Sequence, residues 1–243
     1  MNLKKLILTN NDCYKAGKKI TPKGIMIHST GANNPNLKRY IAPDDGLLGV
    51  NINNNDWNRS GTEACVHAFI GKLADGSIAT YQTLPWDHRG WHAGGDANNT
   101  HISFEICEDG LTDKEYFNKV YKEAVELCVY LCKKYGLTEK NIICHSEGYA
   151  KGIASNHGDV MHWFPKHGKS MDTFRADVKS LLEGDNMSKF TDIKGHYAEK
   201  HIEKLEAYGI VNGDGNGKFN PDQQITRADA AIMIANALNV LGK

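Results

Sequence analysis

Residues 23–30 read KGIMIHST and residues 141–148 read NIICHSEG. Each is a short apolar run ending at a histidine, the pattern of a strand buried on both faces that closes on a polar group. Three further runs have the same character: CVHAFIGK (65–72), SIATYQTL (77–84) and HISFEICE (101–108). Helical patterns and turn-rich loops separate them. The clearest helices are YKEAVELCVYLCKKYG (121–136), closed by lysines and a glycine, and SMDTFRADVKSLLEG (170–184), with Phe174, Val178, Leu181 and Leu182 on one face. Strands alternating with helices predict an α/β domain, a mixed central sheet with flanking helices.

The chain has 243 residues, 40% apolar and 24% charged, enough for one sizeable core and a small appendage. The expected division is a large domain over 1–182, a polar linker over 183–189 and a small helical module over 190–243. Twenty-nine basic residues balance twenty-nine acidic ones. No broad field of one sign exists to draw the protein to nucleic acid or an anionic membrane, so neither is an expected partner. The opening MNLKKLILTNNDCYKAG has an apolar run too short for a secretory core or a membrane span, and the expectation is synthesis in the cytoplasm without a signal peptide. Six cysteines without CxxC pairs suit reduced thiols in a core. Cys128 and Cys132 share a helical face, but the apolar period around them reads as core packing rather than a metal pair.

The chemistry-bearing residues sit at strand ends. His28 and His145 each follow an apolar run, and the acid-containing HGD (157–159) lies a short way after the second. Two neutral imidazoles and a carboxylate are a common three-ligand set for catalytic zinc, leaving a fourth position for water whose pKa falls to about 7. Glu105, in the middle of HISFEICE, is a carboxylate that burial would make costly without a role, and it is the candidate base. Glu108 is the alternative, although EDG around it reads as an exposed turn.

IMIHST, VHAFIG followed by DGSIATYQ, GWHAGG, ISFEICE and ICHSE together resemble the zinc-dependent type 2 N-acetylmuramoyl-L-alanine amidases, which share a fold with the animal peptidoglycan recognition proteins. The resemblance covers roughly the first three quarters of the chain. It implies hydrolysis of the amide between N-acetylmuramic acid and L-alanine by a zinc-activated water, with peptidoglycan as the partner and Zn as the cofactor. His28 and His145 match the first two ligands. The third matches Asp159, two residues after His157, which takes the position of the family's Lys, Arg or Thr and is expected to stabilise the oxyanion. Val160 replaces the family's usual proline and the spacing from His145 is long, so His157 and His162 stay open as alternative ligands. His92 and Trp91, in GWHAGG, are expected in the substrate groove, where flanking glycines permit close backbone approach to a ligand. His67 is named with them as a substrate-binding candidate, its place divided between cleft wall and core. His88, His101, His167, His196 and His201 carry no spacing signal and are expected on the surface.

In the small module, FTDIKGHYA, GDGNGKFNPD and TRAD resemble a single S-layer homology repeat, a wall-polymer-binding unit of Gram-positive bacteria. The resemblance implies a secondary cell-wall polysaccharide as partner and Arg227, Asp229 and Gly213 as contacts. A calcium loop from Asp214 is rejected, because Lys218 and Phe219 stand where a ligand and the loop glycine belong. Thr226 with Asp229 three residues on has the spacing of a helix capping box. A lone repeat buries little core, so homo-oligomerisation is expected, or assembly with a short product starting at Met187. The combination resembles a phage or prophage endolysin, acting on the wall after release. The rival readings are a peptidoglycan-binding protein without catalysis and a structural wall component.

Overall fold

The computed structural model describes residues 1–184 and 189–240; Met187 lies outside them. The chain divides into two compact units, residues 1–179 and 180–243. No helix among the described residues is long and apolar enough to cross a membrane.

The first unit is built on one six-stranded sheet, with β1 Leu3–Lys5, β2 Gly24–Asn33, β3 Ala68–Lys72, β4 Ile78–Gln82, β5 His101–Glu108 and β6 Ile142–Cys144 in the order β1-β4-β3-β5-β2-β6. Only β3 and β4, joined by the turn at Asp75–Gly76, run antiparallel; every other pairing is parallel. The parallel strands are covered on both faces, which is why Ile25, Met26, Ile27, Ile102, Phe104 and Ile106 are fully buried in continuous runs. Helix α2 (Lys114–Tyr135) packs against β3 and β4, and α4 (Met171–Gly184) sets its Phe174 ring against Tyr121 of α2. Asp113 caps α2 by accepting from the Tyr116 N–H, and Gly136 ends it in the left-handed region. On α4, Phe174 and Val178 are fully buried as expected, but Leu181 is exposed.

A short helix, α1 (Asp12–Ala16), carries Cys13, which is disulfide-bonded to Cys65. This corrects the expectation of six reduced thiols; Cys107, Cys128, Cys132 and Cys144 are free and buried. The bridge joins residues 52 apart in sequence, so opening it releases a long loop in the unfolded chain. Cys65→Ser is expected to lower stability by about 2–4 kcal/mol, read as a fall in Tm under oxidising conditions that a reductant erases.

In the second unit, α5 (Glu199–Ala207) and α6 (Arg227–Val240) accompany a small core of Phe190, Ile193, Ile202 and Val211. Thr226 caps α6: its hydroxyl donates to the Asp229 carboxylate and accepts from the Asp229 N–H. Gly213 has a packing reason to be glycine, since a Cβ there would lie 2.3 Å from the Lys218 carbonyl oxygen and 2.4 Å from the Phe190 ring. Arg227 and Asp229 are both exposed.

Candidate metal-centred active site

Parallel strands present their carboxyl ends on one edge of a sheet, and side chains there converge on the crevice outside it. The register places this chain's titratable residues in a row along that edge. Glu105 on β5 stands directly beside His28 on β2, and on the other side Ile27 pairs with Cys144 of β6, so His145 follows one step level with His28. His145 opens a helix, α3 (His145–Ala150), rather than ending a strand as the sequence suggests. The Glu147 carboxylate accepts from the Cys144 N–H and turns the chain at that point. The loop after α3 then folds back, with the Asp159 carbonyl accepting from the His145 N–H.

Three donor atoms meet here. His28 Nδ1 lies 3.0 Å from Asp159 Oδ2, His145 Nδ1 lies 3.1 Å from His28 Nδ1, and His145 Nδ1 lies 3.5 Å from Asp159 Oδ2. Bonds of 2.0–2.2 Å at tetrahedral angles require ligand atoms ~3.3 Å apart, so the spacing fits a four-coordinate ion such as Zn2+ with one open position. The ionisation states fit as well. Burial holds the His28 imidazole below its usual pKa, against the pull of the Asp159 carboxylate. Burial acts to raise Asp159, but the His145 and His28 imidazoles against it outweigh that effect and keep the carboxyl well below the usual range. A neutral imidazole beside an ionised carboxylate is the state a metal requires of its ligands. Among the described residues this is the one His/Cys/Asp/Glu group close enough to hold an ion. Of the alternative third ligands, His162 points to Glu108, 2.8 Å away, and His157 Nδ1 lies 3.0 Å from the Ser155 hydroxyl.

The three lie in a cleft of about 400 Å³, whose lining also includes Glu105, His92, Trp91 and His157. Glu105 Oε2 is buried and finds no hydrogen-bond partner among the described residues. Burial, reinforced by the negative charges of Asp159 and Glu108, raises its pKa well above the ordinary carboxylate value. His92 Nδ1 is 2.9 Å from His28 Nε2, while its own Nε2 is buried without a partner. Trp91 is 43% exposed and free to present its face to a ligand. The glycines beside it serve the chain itself: a Cβ on Gly95 would meet the Ile153 carbonyl oxygen at 2.5 Å, and one on Gly94 would meet the Ser155 hydroxyl at 2.7 Å.

Other expectations need correction. His67 lies in the core, fully buried, where its Nε2–H donates to the His88 carbonyl and its Nδ1 accepts from the Ser103 N–H. With pKa lowered to about 4 by that burial, it is a neutral structural group with no surface to offer a substrate. Glu108 is not in an exposed turn. It is buried, and its carboxylate accepts from the Gly31 N–H and pairs with His162. His88 is buried as well, its ring stacked on Tyr14. Trp57, Glu63 and Ser155, absent from the candidates above, also line the cleft. A tryptophan in the asparagine-rich stretch NINNNDWN (51–58) was an available signal; Ser155 had none.

Residues 18–165 match the family model for N-acetylmuramoyl-L-alanine amidase. The chain belongs to that amidase family. Residues 189–231 match the S-layer homology domain, so the amidase domain is followed by one such module. Among curated proteins, this amidase is 44% identical over 48 residues to an uncharacterized cell wall amidase of Bacillus anthracis, covering 20% of this chain and 9% of the relative. It is 41% identical over 63 residues to the Surface-layer 125 kDa protein of Lysinibacillus sphaericus, covering 26% and 5%. The chain thus spans less than a tenth of the length of these relatives. Among solved structures, PlyL superposes with TM-score 0.51 at 20% identity, covering 74% of this chain and 97% of that one. The Staphylococcus aureus hydrolase AmiA gives 0.53 at 18%, covering 74% and 82%, and the catalytic domain of XlyA gives 0.51 at 21%, covering 73% and 99%. These likenesses establish that the amidase shares their fold.

Proposed function

We propose that the chain is a zinc-dependent N-acetylmuramoyl-L-alanine amidase that cuts peptidoglycan and is held to the wall by its S-layer homology module. The observation that carries the reading is the convergence of His28 Nδ1, His145 Nδ1 and Asp159 Oδ2 at metal-ligand spacing beside Glu105, whose Oε2 is buried without a partner. A bound Zn2+ would polarise the scissile carbonyl and bring the pKa of a coordinated water to about 7. Glu105 removes the proton from the attacking water and returns it to the departing L-alanine amine, a task suited to a carboxyl whose pKa burial has raised. His92 and His157 both line the cleft, and His92 offers an N–H donor to the oxygen on which negative charge develops. Trp91 and Trp57 supply apolar faces for the sugar and the lactyl group.

The bond cut is tested directly. Purified walls incubated with the chain and Zn2+ should gain free amino groups, identified as amino-terminal alanine, without gaining reducing sugar ends. Reducing ends would mean a glycosidase, and neither product would mean binding without hydrolysis. In the module, Arg227 is an exposed cation beside a capped helix start, and we assign it to the wall polysaccharide. Arg227→Ala is expected to weaken retention on walls roughly tenfold, the loss of about one charge-assisted hydrogen bond, with hydrolysis of soluble muropeptide unchanged.

A further inference from the structure

Ser155 lies at the meeting point of three polar groups. Its hydroxyl is 3.2 Å from His145 Nε2, 3.0 Å from His157 Nδ1 and 3.1 Å from the Ala93 carbonyl oxygen, and its backbone N–H donates to that same carbonyl at 2.7 Å. A serine hydroxyl has one hydrogen to give and two lone pairs to receive. A carbonyl can only accept, so the hydrogen goes to Ala93 and both lone pairs are left for the histidines. Each histidine must then present an N–H: His145 at Nε2 and His157 at Nδ1.

We infer that Ser155 is a positioning residue that fixes the ring states of His145 and His157 together and so holds His145 ready for a metal ion. The inference rests on the zinc reading of the site and goes beyond it. With its hydrogen on Nε2, His145 is left with a bare Nδ1, the atom that lies 3.1 Å from His28 Nδ1 and 3.5 Å from Asp159 Oδ2. Outer partners of this kind orient a ligating imidazole and fix its tautomer. His28 obeys the same rule through a different partner: a bare Nδ1 puts its hydrogen on Nε2, which donates to His92 Nδ1 at 2.9 Å. His92 is then obliged to carry its own hydrogen on Nε2, the buried nitrogen without a partner. In their neutral forms, therefore, His92 is the donor facing the cleft and His157 turns a lone pair toward it. Gly94 makes the arrangement possible, since any side chain there would occupy the space of the Ser155 hydroxyl.

Two measurements on the full chain test this. The first is the ring nitrogen spectrum of the 15N-labelled, metal-free wild-type protein at a pH where the imidazoles are neutral. His145 and His92 should show the Nε2–H form and His157 the Nδ1–H form, assigned with His157→Gln. A His157 ring carrying its hydrogen on Nε2 would mean that the hydroxyl donates to His157, and the inference would fall. The second is Zn2+ affinity by chelator competition for wild type and Ser155→Ala, which removes one atom and keeps the backbone bond to Ala93. The variant should bind Zn2+ about 10–100-fold more weakly with the Tm of the metal-free protein unchanged. Equal affinity would overturn the inference while leaving the zinc reading intact. A wild-type chain that does not bind Zn2+ at all would overturn both.

Discussion

Asp159→Ala is expected to strip the protein of zinc and to lower amide hydrolysis by about a thousandfold or more, the several kcal/mol that a metal contributes to such a transition state. The variant leaves two imidazoles 3.1 Å apart with no anion to balance a dication. It also removes the carboxylate that both rings contact, so their orientation loosens with the charge. The measurements are zinc content after dialysis and release of amino-terminal alanine from purified walls. Full zinc and full activity in this variant would exclude Asp159 as a ligand and turn attention to His157, whose ring centre lies 4.6 Å from that of His145.

Glu105→Gln is expected to keep its zinc and lose about 10²–10⁴-fold in turnover, the range for removing a positioned acid–base group. Glutamine has nearly the same shape, so the lost function is proton transfer. The same variant has a stability signature. Burial lifts the folded-state pKa of Glu105 well above its ordinary 4.5, so the folded chain binds more protons than the unfolded one between those two values. Stability of the metal-free protein must then fall as pH rises through that window, and the glutamine variant should lack this component of the decline. Denaturant midpoints of the metal-free proteins at a series of pH values read the difference. Wild-type turnover in Glu105→Gln would assign the proton transfer elsewhere, and a loss of zinc in step with activity would make Glu105 a support of the ligands instead.

Much of this site was legible before any coordinates, for a physical reason. Parallel strands buried on both faces must be written as unbroken apolar runs, so a histidine ending such a run marks the carboxyl edge of the sheet. His28, His145 and the mid-strand Glu105 were all visible in that way. The features that were not legible depend on partners far away in sequence. Glu108 reads as part of a polar turn because its hydrogen-bonding groups, the Gly31 N–H and His162, stand 77 and 54 residues away. His67 and its partner Ser103 are 36 residues apart, and nothing near either one announces the pair. The Cys13–Cys65 bridge has no spacing pattern, and Ser155 sits in a stretch, GIASNHG, without apolar period. Its neighbours are dictated by glycines on another loop.

The order of strands has a consequence for how the protein is made. His28 leaves the ribosome ahead of the donors it meets on His145 and Asp159, which lie 117 and 131 residues further on. Central strand β2 likewise waits for its neighbours β5 and β6 to be made. Contacts so distant in the chain are slow to close and cannot form before residue 159 has been made. The proposed metal centre is therefore incomplete in every fragment that ends before residue 159, and translation interrupted before that point releases no assembled site.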